Sequence, residues 1–253
     1  EYSIKTTFIM LTLLYALIVL VACTVLYALT FVALVLCWPF DRKRRVVHAL
    51  SKLLTDIIFG LPPHWHRRVV GAENVDRSKA YVIVLNHNSM VDIACFYCVP
   101  LVFKWVSKRE VYKIPFIGRF LLAHGDIIID RGSASEAMGK VTERGRMWLS
   151  RGASVCIFPE GTRSKDGEIH RFKAGAFLLA KKAGVPILPV VLDGTTGLMR
   201  GKLRLNWRNT ITIRILPPIE AERVQNTDTK ELMAGVRDDM VAALAEIREE
   251  KKR

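Results

Sequence analysis

The run Asn86-His87-Asn88-Ser89-Met90-Val91-Asp92 sets a histidine and a carboxylate five positions apart, directly after the apolar run Tyr81 to Leu85. An imidazole exchanges a proton near neutral pH, and a carboxylate on its second ring nitrogen fixes the tautomer. The pair therefore has the makings of a general base and its orienting partner. On one continuous helix five positions amount to about 500° of rotation, and the two side chains would diverge. A strand-to-helix junction brings them together, with His87 in the turn and the helix starting near Ser89. Ser89-x-x-Asp92 also fits a capping box, in which Asp92 ties down the helix start. Both roles are open to Asp92 at this point, and His87 taken alone is compatible with an ordinary turn histidine.

A second polar cluster, Phe158-Pro159-Glu160-Gly161-Thr162-Arg163-Ser164, again follows an apolar run. It offers a carboxylate, a turn glycine, a hydroxyl and a guanidinium. Arginine suits bidentate binding of phosphate, although a charged turn with an Arg–Glu surface pair uses the same residues. Lys104, Lys108 and Arg109 flank Trp105 and are expected to form a further basic patch at the surface. Cys95-x-x-Cys98 has the form of a redox or zinc motif, but no second pair or suitably spaced histidine completes it, so buried structural thiols are expected. Two polar constellations, each at the end of a buried strand, point to one cleft.

The elements that must position these residues follow from hydrophobic patterning. Strand-like runs occur at 67–71, 80–86, 101–106, 126–129, 153–158, 186–192 and 209–215, with helical patterns near 89–99, 134–150 and 173–183. Ser133 is a plausible cap for the second of these helices. Alternation of this kind predicts an α/β fold, a mixed and largely parallel sheet flanked by helices. Met233, Val236, Met240, Leu244 and Ile247 recur at helical spacing in the tail and predict a packing helix with a solvated outer face.

The 253-residue chain carries a formal charge of +14, which favours an anionic partner, either nucleic acid or an acidic membrane surface. Residues 8–40 decide between them: no charge interrupts the segment, and as a helix of about 50 Å it exceeds the roughly 30 Å hydrocarbon core. It is too long for the apolar core of a signal peptide, and no small-residue cleavage site is followed by a polar start. Val46 to Leu61 follows as an amphipathic helix, with Val46, Leu50, Leu53, Leu54, Ile57, Ile58 and Leu61 largely on one face. Residues 1–62 are thus expected to form a membrane-associated helical segment, and 63–253 an α/β catalytic domain. Arg42-Lys43-Arg44-Arg45, against only Lys5 on the other flank, would leave a spanning helix with the rest of the protein in the cytoplasm, and the same cluster could bind anionic head groups.

Four motifs then stand in a familiar order: His87-x4-Asp92, Gly125-Asp126-Ile127-Ile128-Ile129-Asp130-Arg131, Phe158 to Ser164, and Val185-Pro186-Ile187-Leu188-Pro189-Val190. Over roughly residues 80–195 the chain resembles the glycerolipid acyltransferases, specifically the 1-acyl-sn-glycerol-3-phosphate (lysophosphatidic acid) acyltransferases. The stretch with Lys108, Glu110, Pro115 and Gly118 also resembles the segment between the first two motifs. Members often carry an aromatic residue where Ile128 or Ile129 stands, but the Asp130-Arg131 ending is intact.

The resemblance implies that His87 takes the proton of a lysolipid sn-2 hydroxyl, which attacks an acyl thioester, while Asp92 orients the imidazole and no acyl-enzyme forms. Ser89, the rival nucleophile, lacks a G-x-S-x-G elbow. Substrate binding falls to Glu160, Gly161, Thr162 and Arg163, with Arg163 on the phosphate and Lys108 and Arg131 as helpers. Asp126 is expected to serve its turn, and the fourth motif to shape the acyl or donor channel. No metal or redox cofactor is implied. The implied partners are the phospholipid bilayer, lysophosphatidic acid, and acyl-CoA or acyl carrier protein, with no nucleic acid, at a bacterial inner membrane or its equivalent. Another acceptor such as glycerol 3-phosphate, a hydrolase, and a basic membrane-anchored binding module are the alternative readings.

Overall fold

A seven-stranded sheet carries the molecule, in the spatial order β1-β7-β6-β2-β5-β3-β4. The computed structural model describes residues 2–37, 40–62, 64–113, 117–129, 134–198 and 205–252. The strands are β1 (His64–Val70), β2 (Val82–Leu85), β3 (Phe103–Lys108), β4 (Ile127–Ile129), β5 (Ser154–Ile157), β6 (Ile187–Asp193) and β7 (Arg208–Ile215). All neighbours pair in parallel except β6 with β7, so the expected mixed, largely parallel sheet is the one observed.

Parallel strands covered on both faces read as unbroken apolar runs, and β2 shows why. Val82 and Val84 point to one face, among Trp148, Val155, Phe177, Leu179, Val236 and Leu244. Tyr81, Ile83 and Leu85 point to the other, among Phe59, Phe96, Phe103, Trp105 and Ile213. Helices α5 (Ala134–Ser150), α6 (Gly175–Ala183) and α8 (Thr229–Lys252) supply the first layer. Helix α2 (Arg45–Gly60) and the short α3 (Val91–Cys95) contribute to the second. Each buried Val, Leu, Ile or Phe contributes about 1.5–3 kcal/mol relative to exposure, so the sheet is held from both sides. The tail helix packs as expected, with Val236, Met240, Leu244 and Ile247 buried.

Two short helices, α4 (Ile117–His124) and α7 (Ala221–Asn226), have no counterpart in the sequence reading. Ser133 and Arg131 lie outside the described residues.

The amino-terminal part forms a helical hairpin. Helix α1 (Tyr2–Cys37) contains a 29-residue stretch, Ile9–Cys37, with mean hydropathy 2.8, long and apolar enough to cross a membrane. Asp41 caps α2 by accepting from Arg45 N–H and Val46 N–H, both at 2.8 Å. Helix α2 sits on the sheet with its polar side inward: Val47, His48, Ser51, Thr55 and Phe59 are buried, whereas Val46, Leu53 and Leu61 are exposed. That is opposite to a helix in water, whose apolar stripe faces the core. The basic cluster is also partly absorbed, since Arg44 Nη1 donates to the Leu122 and Ala123 carbonyls that end α4.

Candidate active site

Strands β2 and β5 end level with one another, because Val84 pairs with Ile157. Three residues further on lie His87 and Glu160, and the two motifs meet there. The His87 N–H donates to Glu160 Oε1 at 3.0 Å, and Ser164 N–H donates to the His87 carbonyl at 2.7 Å. Glu160 Oε2 accepts from His170 N–H at 3.1 Å. Glu160 is buried and spends both oxygens on backbone donors, so its geometry is that of a brace between loops.

Asp92 lies 2.8 Å from His87 Nδ1 through Oδ2. The same oxygen accepts from Asn88 N–H at 2.7 Å and Ser89 N–H at 2.8 Å, and Thr195 Oγ1 donates to Oδ1. Capping and orienting therefore coexist on one fully buried carboxylate. An oxygen already accepting two backbone N–H groups can meet the imidazole only as an acceptor. His87 Nδ1 thus carries the proton, and Nε2 is left as the basic nitrogen. The His87 ring also lies flat on Phe158, with centroids 3.9 Å apart and an interplanar angle of 17°.

Asn86 fixes the register of this turn from below. Its buried side chain donates to the Leu192 carbonyl at 2.9 Å and accepts from Leu192 N–H at 2.8 Å, clamping the end of β2 to β6. Neither Asn86 nor Thr195 was picked out by the sequence, because their partners lie about a hundred residues away and only the sheet order brings them near.

Arg163 and Thr162 are exposed on the turn beside His87, and Gly161 adopts φ +72°. A Cβ at Gly161 would stand 2.7 Å from Lys173 Nζ, so this ammonium covers the turn. Lys173 N–H in turn donates to the Pro159 carbonyl at 2.9 Å. Lys173 is a cation that sequence reasoning missed; its place in Phe172-Lys173-Ala174-Gly175, at the entry to α6, was the available signal.

Lys108 is exposed at the end of β3, which brings it level with Pro159 just past the end of β5, since Trp105 pairs with Cys156. Lys104, expected on the same basic patch, is instead fully buried. Strand alternation turns it away from Phe103 and Trp105 to the opposite face, with Nζ 4.9 Å from the Trp148 ring centroid. Burial pushes the Lys104 ammonium down and the Asp126 carboxyl up. Asp126 accepts from Trp105 N–H at 2.8 Å and from His124 Nδ1 at 2.7 Å, so it braces β3 as well as its own turn.

Cys95 is buried, and Cys98 Sγ donates to the Cys95 carbonyl. Among the described residues no group of three His, Cys, Asp or Glu side chains is placed to hold a metal ion. The arrangement can remove a proton from a hydroxyl at His87 Nε2 and hold an anion at the Gly161–Arg163 turn.

Residues 66–193 match the acyltransferase family. The chain belongs to that family. It is 34% identical over 183 residues to the 1-acyl-sn-glycerol-3-phosphate acyltransferase of Saccharomyces cerevisiae, covering 71% of this chain and 60% of that one. Against the 1-acyl-sn-glycerol-3-phosphate acyltransferase alpha of Homo sapiens it is 33% identical over 185 residues, covering 71% and 64%. The chain spans about three fifths of the length of these curated relatives. The crystal structure of the 1-acyl-sn-glycerophosphate (LPA) acyltransferase PlsC from Thermotoga maritima superposes with a TM-score of 0.77 at 24% identity, over 96% of this acyltransferase and 97% of that chain, and so shares its fold.

Proposed function

We propose that this acyltransferase moves a fatty acyl group from a thioester to the sn-2 hydroxyl of 1-acyl-glycerol 3-phosphate, giving phosphatidic acid. The observation that carries the reading is the His87–Asp92 pair beside the exposed Gly161-Thr162-Arg163 turn, in a chain similar to enzymes named for that acceptor. His87 Nε2 takes the hydroxyl proton as the oxygen attacks the thioester carbonyl, and the imidazolium that forms faces the Asp92 carboxylate. Collapse of the tetrahedral intermediate releases the thiol, with the proton returned to sulfur, and no acyl-enzyme intervenes.

Arg163 holds the acceptor phosphate, helped by Lys173 and Lys108 and, from outside the described residues, Arg131. Glu160 and Gly161 shape the turn that presents Thr162 and Arg163. The apolar α1 and the outward apolar side of α2 support membrane association, with the catalytic domain on the cytoplasmic side by the bias of Arg42 to Arg45. A donor is supplied from water as acyl-CoA or acyl carrier protein, both acidic and suited to a chain of charge +14.

The test is purified full chain in lipid vesicles with lysophosphatidic acid and each donor in turn, read as phosphatidic acid by mass spectrometry. His87→Ala should abolish turnover. Fatty acid released without acceptor would instead mark a hydrolase, and full activity of His87→Ala would overturn the mechanism.

A further inference from the structure

The His87 ring is the first of three stacked rings. Phe158 lies against it at 3.9 Å, and Trp105 lies against Phe158 at 5.2 Å with an interplanar angle of 12°. Trp105 is fully buried on β3, its ring is packed edge-on against Phe96 and Phe103, and its backbone N–H is held by the buried Asp126 carboxylate. The column is therefore anchored at its far end in the core. Asp92 alone constrains His87 through one hydrogen bond at Nδ1, about which the ring can still swing. A flat support removes that freedom, and an aromatic face also attracts a cation placed over it within about 6 Å of the centroid.

We infer that Phe158, backed by Trp105, is a positioning residue of the acyl transfer: it holds the His87 ring plane and favours the imidazolium that forms as the acceptor hydroxyl is deprotonated. The inference rests on the reading of His87 as the base, but not on which lysolipid is the acceptor. The support acts on the charged form of His87 more than on the neutral one, so it belongs to the transition state. Its loss is felt in kcat while both KM values stay in place.

The experiment compares wild type with Phe158→Leu, Phe158→Met and Phe158→Tyr in the vesicle assay. The aliphatic variants keep an apolar side chain but lose the π face, and are expected to lower kcat about tenfold with acceptor and donor KM within twofold. Phe158→Tyr keeps the face and should retain wild-type kcat. A second readout is independent of turnover: the carbon-bound His87 ring protons should resonate upfield in wild type from the ring current of Phe158, and return downfield in Phe158→Leu or Phe158→Met. Unchanged kcat in both aliphatic variants, a rise in acceptor KM in place of the fall in kcat, or ring protons without the upfield shift would each overturn the inference. A wild type inactive on lysophosphatidic acid would defeat the proposed acceptor, while the ring-proton shift would still decide the stack.

Discussion

Asp92 illustrates how one residue carries two roles that can be separated experimentally. An asparagine there can keep the oxygen used by Asn88 and Ser89 N–H and turn its amide NH2 toward the Thr195 hydroxyl, so the frame survives. What it loses is the negative charge facing the imidazolium. Asp92→Asn should therefore lower kcat about a thousandfold while the melting temperature moves little; a large loss of stability with kcat intact would reduce Asp92 to a helix cap. The proposed phosphate site gives a different signature. Arg163→Ala and Lys173→Gln should each raise acceptor KM, by roughly tenfold or more for Arg163 and a few fold for the exposed Lys173 ammonium, with kcat nearly constant. Steady-state kinetics at varied lysophosphatidic acid concentration checks both. His87 and Asp92 were legible because their spacing fits a junction of two elements. The brace function of Glu160 was not, since only the paired ends of β2 and β5 aim it at His87 N–H.

Most elements were legible for a simple physical reason: the central strands β2, β5 and β6, buried on both faces, have no polar side and stand out as apolar runs, whereas the edge strand β1, His-Trp-His-Arg-Arg-Val-Val, begins three residues before the run at 67–71. Helix α5 falls on 134–150, as its periodicity predicted. Helix α4 is eight residues, too few turns for a pattern to emerge. The orientation of α2 could not be read either, because periodicity shows which side is apolar but not whether that side meets protein or lipid. Its inward polar side forms a buried chain in which His48 Nδ1 lies 3.1 Å from His124 Nε2, and His124 Nδ1 lies 2.7 Å from Asp126. Burial, then the neighbouring His124 and Lys104, pulls His48 down to about 2, and burial pulls His124 down as well. Below pH 6.5 the unfolded chain then binds two imidazole protons that the folded chain refuses. The raised Asp126 carboxyl keeps one proton in the folded chain and offsets one of them, so stability falls as pH drops through that range by the equivalent of one histidine. His48 alone accounts for about 2 kcal/mol between pH 7 and 5. Urea unfolding in detergent at pH 5, 6 and 7 should show this loss, and His48→Leu should flatten it while lowering stability at pH 7 through the lost hydrogen bond.

At the scale of the whole molecule, exposed large apolar side chains are concentrated in the amino-terminal helices. Ile9, Leu13, Leu17, Leu20, Phe31 and Leu36 on α1, Leu53 on α2 and Leu61 just after it are all exposed. An attachment made by this surface is insensitive to ionic screening, whereas one made by Lys and Arg alone weakens as the Debye length falls to about 3 Å at 1 M salt. Washing vesicle-bound protein with 1 M sodium chloride should leave it with the membrane, and detergent should release it; release by salt would assign attachment to the charges instead.

The bonds that finish the site also decide when it comes into being. Asn86 reaches Leu192 across 106 positions of sequence, and Asp92 reaches Thr195 across 103. A nascent chain therefore carries His87 out of the ribosome long before the strand that clamps its turn exists. Until β6 has been made and docked, the histidine has only its local bond to Asp92 and lacks the clamps at Asn86 and Thr195. On the proposed mechanism, a chain shorter than about 195 residues holds the base without the full set of bonds that aims it.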